Sequence, residues 1–233
     1  MAGRFYTPDA LGVGEYCLLG DEATHLASVL RIQPGEVVTL LNGDGAEYRA
    51  SVSTVAKKSV MLNIMQRHEV SREIGWPIIV ASALPKGDRF DYLLEKLTET
   101  GAAAFIPLVT TRSVVVPKAD KLAKWQRAVI EASKQCGRNT LMHIELPMTF
   151  DQLLTKPDLP TSRFLLHPTS TQEVAIPSRS GVVLAIGPEG GFTDDEVGRA
   201  TANRWVAVSL GKSILRIETA AVAAVVWATH ATG

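Results

Sequence analysis

The chain has 233 residues, 46% of them hydrophobic and 21% charged, the balance of a folded globular protein with room for two modest domains. Its 24 basic and 24 acidic residues cancel, which taken alone argues against a nucleic-acid binder, and Cys17 and Cys136 stand in no disulfide-like or zinc-like spacing. No apolar run reaches the roughly 18 residues of a membrane helix, and Met1-Ala2-Gly3-Arg4-Phe5 lacks the basic-then-apolar plan of a signal peptide, so a cytoplasmic protein is expected.

Residues 1–72 read as a unit of short strands. Asp21 is placed to cap a short helix ending near Arg31, with Leu26 and Leu30 one turn apart, and Pro34-Gly35 breaks it. Strand-like runs follow at 36–41, 48–55 and 59–66, joined by Asn42-Gly43-Asp44-Gly45 and Lys57-Lys58. Close turns between short strands predict a small β-barrel. His25 and Arg31 flank the short helix; a lone His is more often a surface or packing residue than a ligand.

A boundary is expected near 71–75, after which apolar runs alternate with helical patterns. Runs at 78–84, 105–109, 164–166, 182–186 and 206–210 predict buried parallel strands. Helical patterns fall at 88–100, 121–136, 194–203 and 218–229, with Gly101 suited to end one helix and Thr193 to cap another. The expected class is α/β over residues 73–233.

Charge is unevenly spread along this second region. From Arg112 to Arg138 seven basic residues, Lys118 among them, face only Asp120 and Glu131, a local excess of five positive charges. Such a surface attracts phosphate, although a solvated Lys-rich helix face has the same composition. Glu131, Gln135 and Arg138 fall at helical spacing, so one face is expected to present all three. Lys86, Arg89, Lys96, Glu99 and Arg112-Ser113 complete this polar set.

Two glycine-containing loops follow strands. Gly187-Pro188-Glu189-Gly190-Gly191-Phe192 leads to Thr193 and a helix, and a loop at the carboxyl end of an α/β strand is where such folds hold ligands. It matches neither a dinucleotide fingerprint nor a phosphate-binding loop, and a tight strand-to-helix connection is the plainer alternative. The second loop, Leu210-Gly211-Lys212-Ser213-Ile214-Leu215-Arg216, sets an apolar pair beside Arg216 and Glu218. Glu218 could equally serve only to favour a helix N-terminus.

Together these segments resemble the 16S ribosomal RNA uridine-N3 methyltransferases of the knotted SPOUT class. The resemblance spans nearly the whole chain: His25-Leu26-Ala27-Ser28-Val29-Leu30-Arg31, Lys86-Gly87-Asp88-Arg89, Lys96-Leu97-Thr98-Glu99, Thr111-Arg112-Ser113, Gln135-Cys136-Gly137-Arg138, 187–192 and 210–220. Thr100 stands where the family often has Leu, and Cys136 where Ser is common. The resemblance implies a PUA-like β-barrel over 1–72 that docks RNA, then a SPOUT domain over 73–233 with a deep C-terminal trefoil knot. It implies a cytoplasmic homodimer that uses S-adenosylmethionine, and no metal, to methylate N3 of a uridine in 16S rRNA, with the 30S subunit as the substrate form.

By the same resemblance the cofactor would lie among Leu166, His167, Gly187, Pro188, Glu189, Gly190, Gly191, Leu210, Gly211, Ile214, Leu215 and Arg216. The catalytic set would be drawn from Arg112, Arg138 and Arg216, to stabilise the uracil anion, and Glu189 or Glu218, to accept the proton. RNA contacts would come from His25, Arg31, Lys86, Arg89, Arg112, Gln135 and Arg138. Two other readings stay open: a related enzyme methylating a tRNA ribose 2′-hydroxyl, and a non-catalytic RNA-binding module.

Overall fold

The computed structural model describes residues 3–117, 119–170 and 181–230; Lys118, counted in the basic segment, lies outside them. The chain divides into two compact units, Met1–Glu73 with Ser133–Leu141, and Ile74–Ala132 with Met142–Gly233. No described helix is long and apolar enough to cross a membrane.

The first unit is built on five strands: β1 (Arg4–Tyr6), β2 (Gly14–Leu19), β3 (Val37–Leu41), β4 (Ala46–Ala56) and β5 (Ser59–Glu69), in the order β1-β3-β4-β5-β2. The long hairpin β4–β5 follows from alternation. Ala46, Tyr48, Ala50 and Val52 turn inward and meet Val60, Leu62 and Ile64, while their neighbours face solvent. Two register shifts in this ladder, at Arg49/Ala50 and Val52/Thr54, bend it. The 42–45 turn is held by side chains: the Asp44 amide donates to Asn42 Oδ1 at 3.2 Å and the Ala46 amide to Asp44 Oδ1 at 2.9 Å. Strands β1 and β2 were not anticipated, because neither has a sustained apolar pattern.

The helix expected over 21–31 is two pieces. A short helix α1 (Gly20–Thr24) runs into a π-type turn over His25–Val29, closed by the Leu30 amide on the His25 carbonyl at 3.0 Å. Asp21 is not its cap; Leu19 holds that position without a side-chain bond. The wider turn takes Leu30 off the face of Leu26, so Leu26 is buried and Leu30 is half exposed. Arg31 then takes a left-handed φ of 52°, which ends the helix before Pro34 is reached.

Among the described residues the second unit is a seven-stranded sheet in which every pairing is parallel. Its strands are β6 (Ile78–Ser82), β7 (Ala104–Val109), β8 (His143–Ile144), β9 (Met148–Thr149), β10 (Ser162–Leu166), β11 (Val182–Ile186) and β12 (Val206–Val208). The path runs β12-β10-β11-β6-β7-β8, with β9 also on β7. All five residues of β11 are buried, as a strand covered on both faces requires. Helices α2 (Arg89–Glu99), α4 (Phe150–Thr155), α5 (Asp194–Ala202) and α6 (Ile217–His230) connect or flank the strands, and α3 (Leu122–Cys136) begins in this unit and ends within the 133–141 segment of the first. Helix α6 is apolar nearly throughout and packs on β6, β11 and α2. Thr149 and Thr193 each form a reciprocal capping box, with Gln152 and Glu196.

Candidate active site

In a parallel sheet the loops leaving the carboxyl ends of adjacent strands gather on one side, which is where ligands bind. Here the loops after β10, β11 and β12 enclose one cavity of about 440 Å³, within the range of roughly 300–1,000 Å³ usual for small-molecule sites. The ladder contacts explain the convergence. Strand β10 pairs with β11 on one side and β12 on the other, and the His167 amide donates to the Val208 carbonyl at 2.8 Å just past the strand ends.

The loop after β11 is shaped by its glycines. Gly191 has φ of 66°, and its amide closes a turn on the Pro188 carbonyl at 2.8 Å. A Cβ at Gly187 would stand 3.1 Å from the Phe192 ring and 3.3 Å from its amide nitrogen, so Phe192 folds directly back over Gly187. Phe192 is buried and meets Phe150 at a ring-centroid distance of 5.0 Å. The loop's outer side is held by Arg112, whose Nη1 donates to the Gly190 carbonyl at 2.7 Å.

Arg112 is itself placed by a carboxylate outside the expected site set. Glu196, buried in the first turn of α5, accepts from the Thr193 and Thr111 amides, both at 2.8 Å. Burial pushes this carboxyl up, but these amides and the two threonine hydroxyls outweigh it and hold the group below its ordinary value. The Thr-x-x-Glu spacing of Thr193 and Glu196 was the available signal. The loop after β7 is pinned a second time by the Thr110 amide, which donates to Ser113 Oγ at 2.9 Å.

The expected site residues separate clearly. Leu166, His167, Gly187, Pro188, Glu189, Gly190, Gly191, Leu210, Ile214, Leu215, Arg216 and Arg112 all line the cavity. Gly211 is not among its lining residues; its φ of 138° instead turns the chain after β12. Ile214 is 87% exposed, an apolar side chain standing open at the rim. Glu218 is buried at the start of α6 and faces an adjoining groove that shares Ser209 and Leu210 with the cavity. Arg89 lies between the two acids, its guanidinium 3.7 Å from both Glu189 and Glu218.

Arg138 differs from its expected setting. Helix α3 stops at Cys136, Gly137 takes φ of 88°, and Arg138 therefore leaves the face that Glu131 and Gln135 share. It is buried in the first unit and bonds Glu73 through Nε at 3.1 Å and Nη2 at 2.5 Å. His25, Arg31, Lys86 and Gln135 are exposed. Lys96 and Glu99 pair with each other at 2.9 Å on α2.

The cavity fits the expected cofactor in chemistry as well as size. Its walls offer Leu166, Ile186, Leu210 and Leu215 to a flat ring, and three loops of backbone groups to polar atoms.

Two family profiles match the chain. An RNA methyltransferase domain profile matches residues 72–229, and an RNA methyltransferase PUA domain profile matches 18–65. The ribosomal RNA small subunit methyltransferase E of Bacillus subtilis is 32% identical over 88% of this chain and 86% of its own length. That of Synechocystis sp. is 38% identical over 84% of this chain, a match that spans 66% of the relative. The crystal structure of the enzyme of that name from Neisseria gonorrhoeae, bound to S-adenosyl methionine, superposes with a TM-score of 0.87 at 33% identity, covering 97% of this chain and 95% of that one. The chain belongs to the ribosomal RNA small subunit methyltransferase E family.

Proposed function

We propose that this protein transfers the methyl group of S-adenosylmethionine to N3 of a uridine in the RNA of the small ribosomal subunit, in the cytoplasm and as a homodimer. The observation that carries the reading is the cavity formed by the ends of β10, β11 and β12 inside the segment that matches an RNA methyltransferase domain.

The cofactor supplies an electrophilic sulfonium methyl. What the chain must do is expose the target base, take its N3 proton and stabilise the resulting anion. That proton is roughly as acidic as a phenol, about 10 on the tyrosine scale, so a carboxylate can act only if the anion is stabilised as it forms. Arg112 and Arg216, both on the cavity, suit the carbonyl oxygens that share the charge. Glu189 is the better placed acceptor, since it lines the cavity and is 40% exposed, whereas Glu218 is buried beside the groove. Arg138, committed to Glu73, is better suited to holding the first unit together than to the reaction. The first unit, with His25 and Arg31 exposed, would dock the RNA.

The chain order supports the knot of the SPOUT class. Strand β12 pairs outside β10, after which the chain returns to pack α6 on β6 and β11. A crystal structure traced from 162 to 230 checks the threading. The dimer is supported by the groove on α6, lined by Tyr92, Leu210, Val222, Val226 and Trp227, where Val226 is 41% exposed. Val226→Asp is expected to convert a dimer to a monomer by light scattering; a wild-type monomer would contradict the assembly.

The activity is tested by incubating the protein with labelled S-adenosylmethionine and small subunits lacking the modification. Label in 16S rRNA is expected; cofactor binding with no incorporation into any RNA would favour a binding module.

A further inference from the structure

We infer that Arg89 is a positioning residue that clamps the glycine loop of the cavity to the start of α6, and is not an RNA contact; this rests on reading the cavity as the S-adenosylmethionine site. Arg89 opens α2, after the 83–88 loop that follows β6, and its Nε donates to the Lys86 carbonyl at 3.3 Å. With that edge anchored, the two terminal nitrogens point to different acids. Nη2 stands 3.7 Å from Glu189 Oε1 in the loop after β11, and Nη1 stands 3.7 Å from Glu218 Oε1 in the first turn of α6. Three segments that leave the sheet at different strands thus meet on one guanidinium, whose fork is rigid enough to fix their spacing.

The Glu218 end shows why the cation is needed. Its side chain is 8% exposed, and Oε2 is buried without a hydrogen-bond partner. A buried carboxylate with an orphan oxygen is costly unless a cation stands beside it, and Arg89 stands beside this one. Ile217, the preceding residue, lines the cavity, as does Glu189, so the clamp ties two of its walls. A guanidinium flanked by two carboxyls adds little to phosphate attraction, which separates Arg89 from exposed Lys86.

The test is Arg89→Gln, with S-adenosylmethionine affinity measured by calorimetry and small-subunit RNA affinity by filter binding across a salt series. Cofactor affinity is expected to weaken roughly threefold to tenfold, with RNA affinity and its salt slope unchanged. Turnover is expected to show a raised KM for the cofactor with a smaller change in kcat. Arg89→Lys, able to serve one acid at a time, is expected to restore part of the affinity. Arg89→Gln with Glu189→Gln should weaken it no further than the sum of independent losses would require, and by less than that sum. Unchanged cofactor affinity with a salt slope lower by about one would overturn the inference in favour of an RNA contact. A wild-type protein that binds no S-adenosylmethionine would remove the reading beneath it, and the inference with it.

Discussion

Replacing Arg138 by Met is expected to lower the unfolding free energy by about 2–3 kcal/mol, somewhat below the roughly 3–5 kcal/mol of a wholly buried pair because Glu73 keeps 26% exposure. The arginine is 4% exposed and meets the Glu73 carboxylate through two of its nitrogens. Its loss leaves an acid without its cation, and the damage comes from that orphan more than from the pair's own worth. Arg138→Met with Glu73→Leu should therefore recover much of the loss. Urea titration of the single and double variants reads both effects. Turnover abolished with stability unchanged would return Arg138 to the reaction and contradict the structural role.

Glu196→Ala is expected to cost about 1–2 kcal/mol, from a lost helix cap of roughly 1 kcal/mol and a part-buried hydrogen bond lost from the Thr111 amide. Because Thr111 precedes Arg112, the same change should also loosen the arginine that holds the Gly190 carbonyl. Turnover is expected to fall roughly tenfold or more, as misplacement of a site group commonly does. The pH dependence has a definite sign. Glu196 is held below its ordinary value of 4.5, so its contribution is complete above that pH and is lost as pH falls through the lower folded value. The wild-type midpoint in urea should decline on acidification below about 4.5 more steeply than that of Glu196→Gln. Parallel curves for the two proteins would sink this account of the residue.

The parts of the fold that were legible share a cause. Buried parallel strands read as continuous apolar runs, so β6, β7, β10, β11 and β12 could be found from such runs alone, with β6 ending at Ser82 and β12 at Val208, two residues short of the runs. The cavity was legible because loops after such strands must gather on one side. What was not legible depends on pairing across the chain. That β12 lies beside β10, that β1 joins β3 in parallel, and that 133–141 returns to the first unit are set by long-range register, which no local pattern carries. Arg138 was misread for a local reason: helical spacing was extended through Gly137, whose left-handed conformation moves the next side chain off the face. Arg89 was read from its charge alone, and only the fold brings Glu189 and Glu218 to it.

The most direct test of the central claim is reverse transcription across 16S rRNA from small subunits incubated with the protein and S-adenosylmethionine. A methyl on N3 occupies the pairing edge, so a new cofactor-dependent stop at a single uridine is the predicted result. Methyl incorporation without any stop would place the group on a ribose or another non-pairing atom, and would contradict the reaction assigned to this cavity.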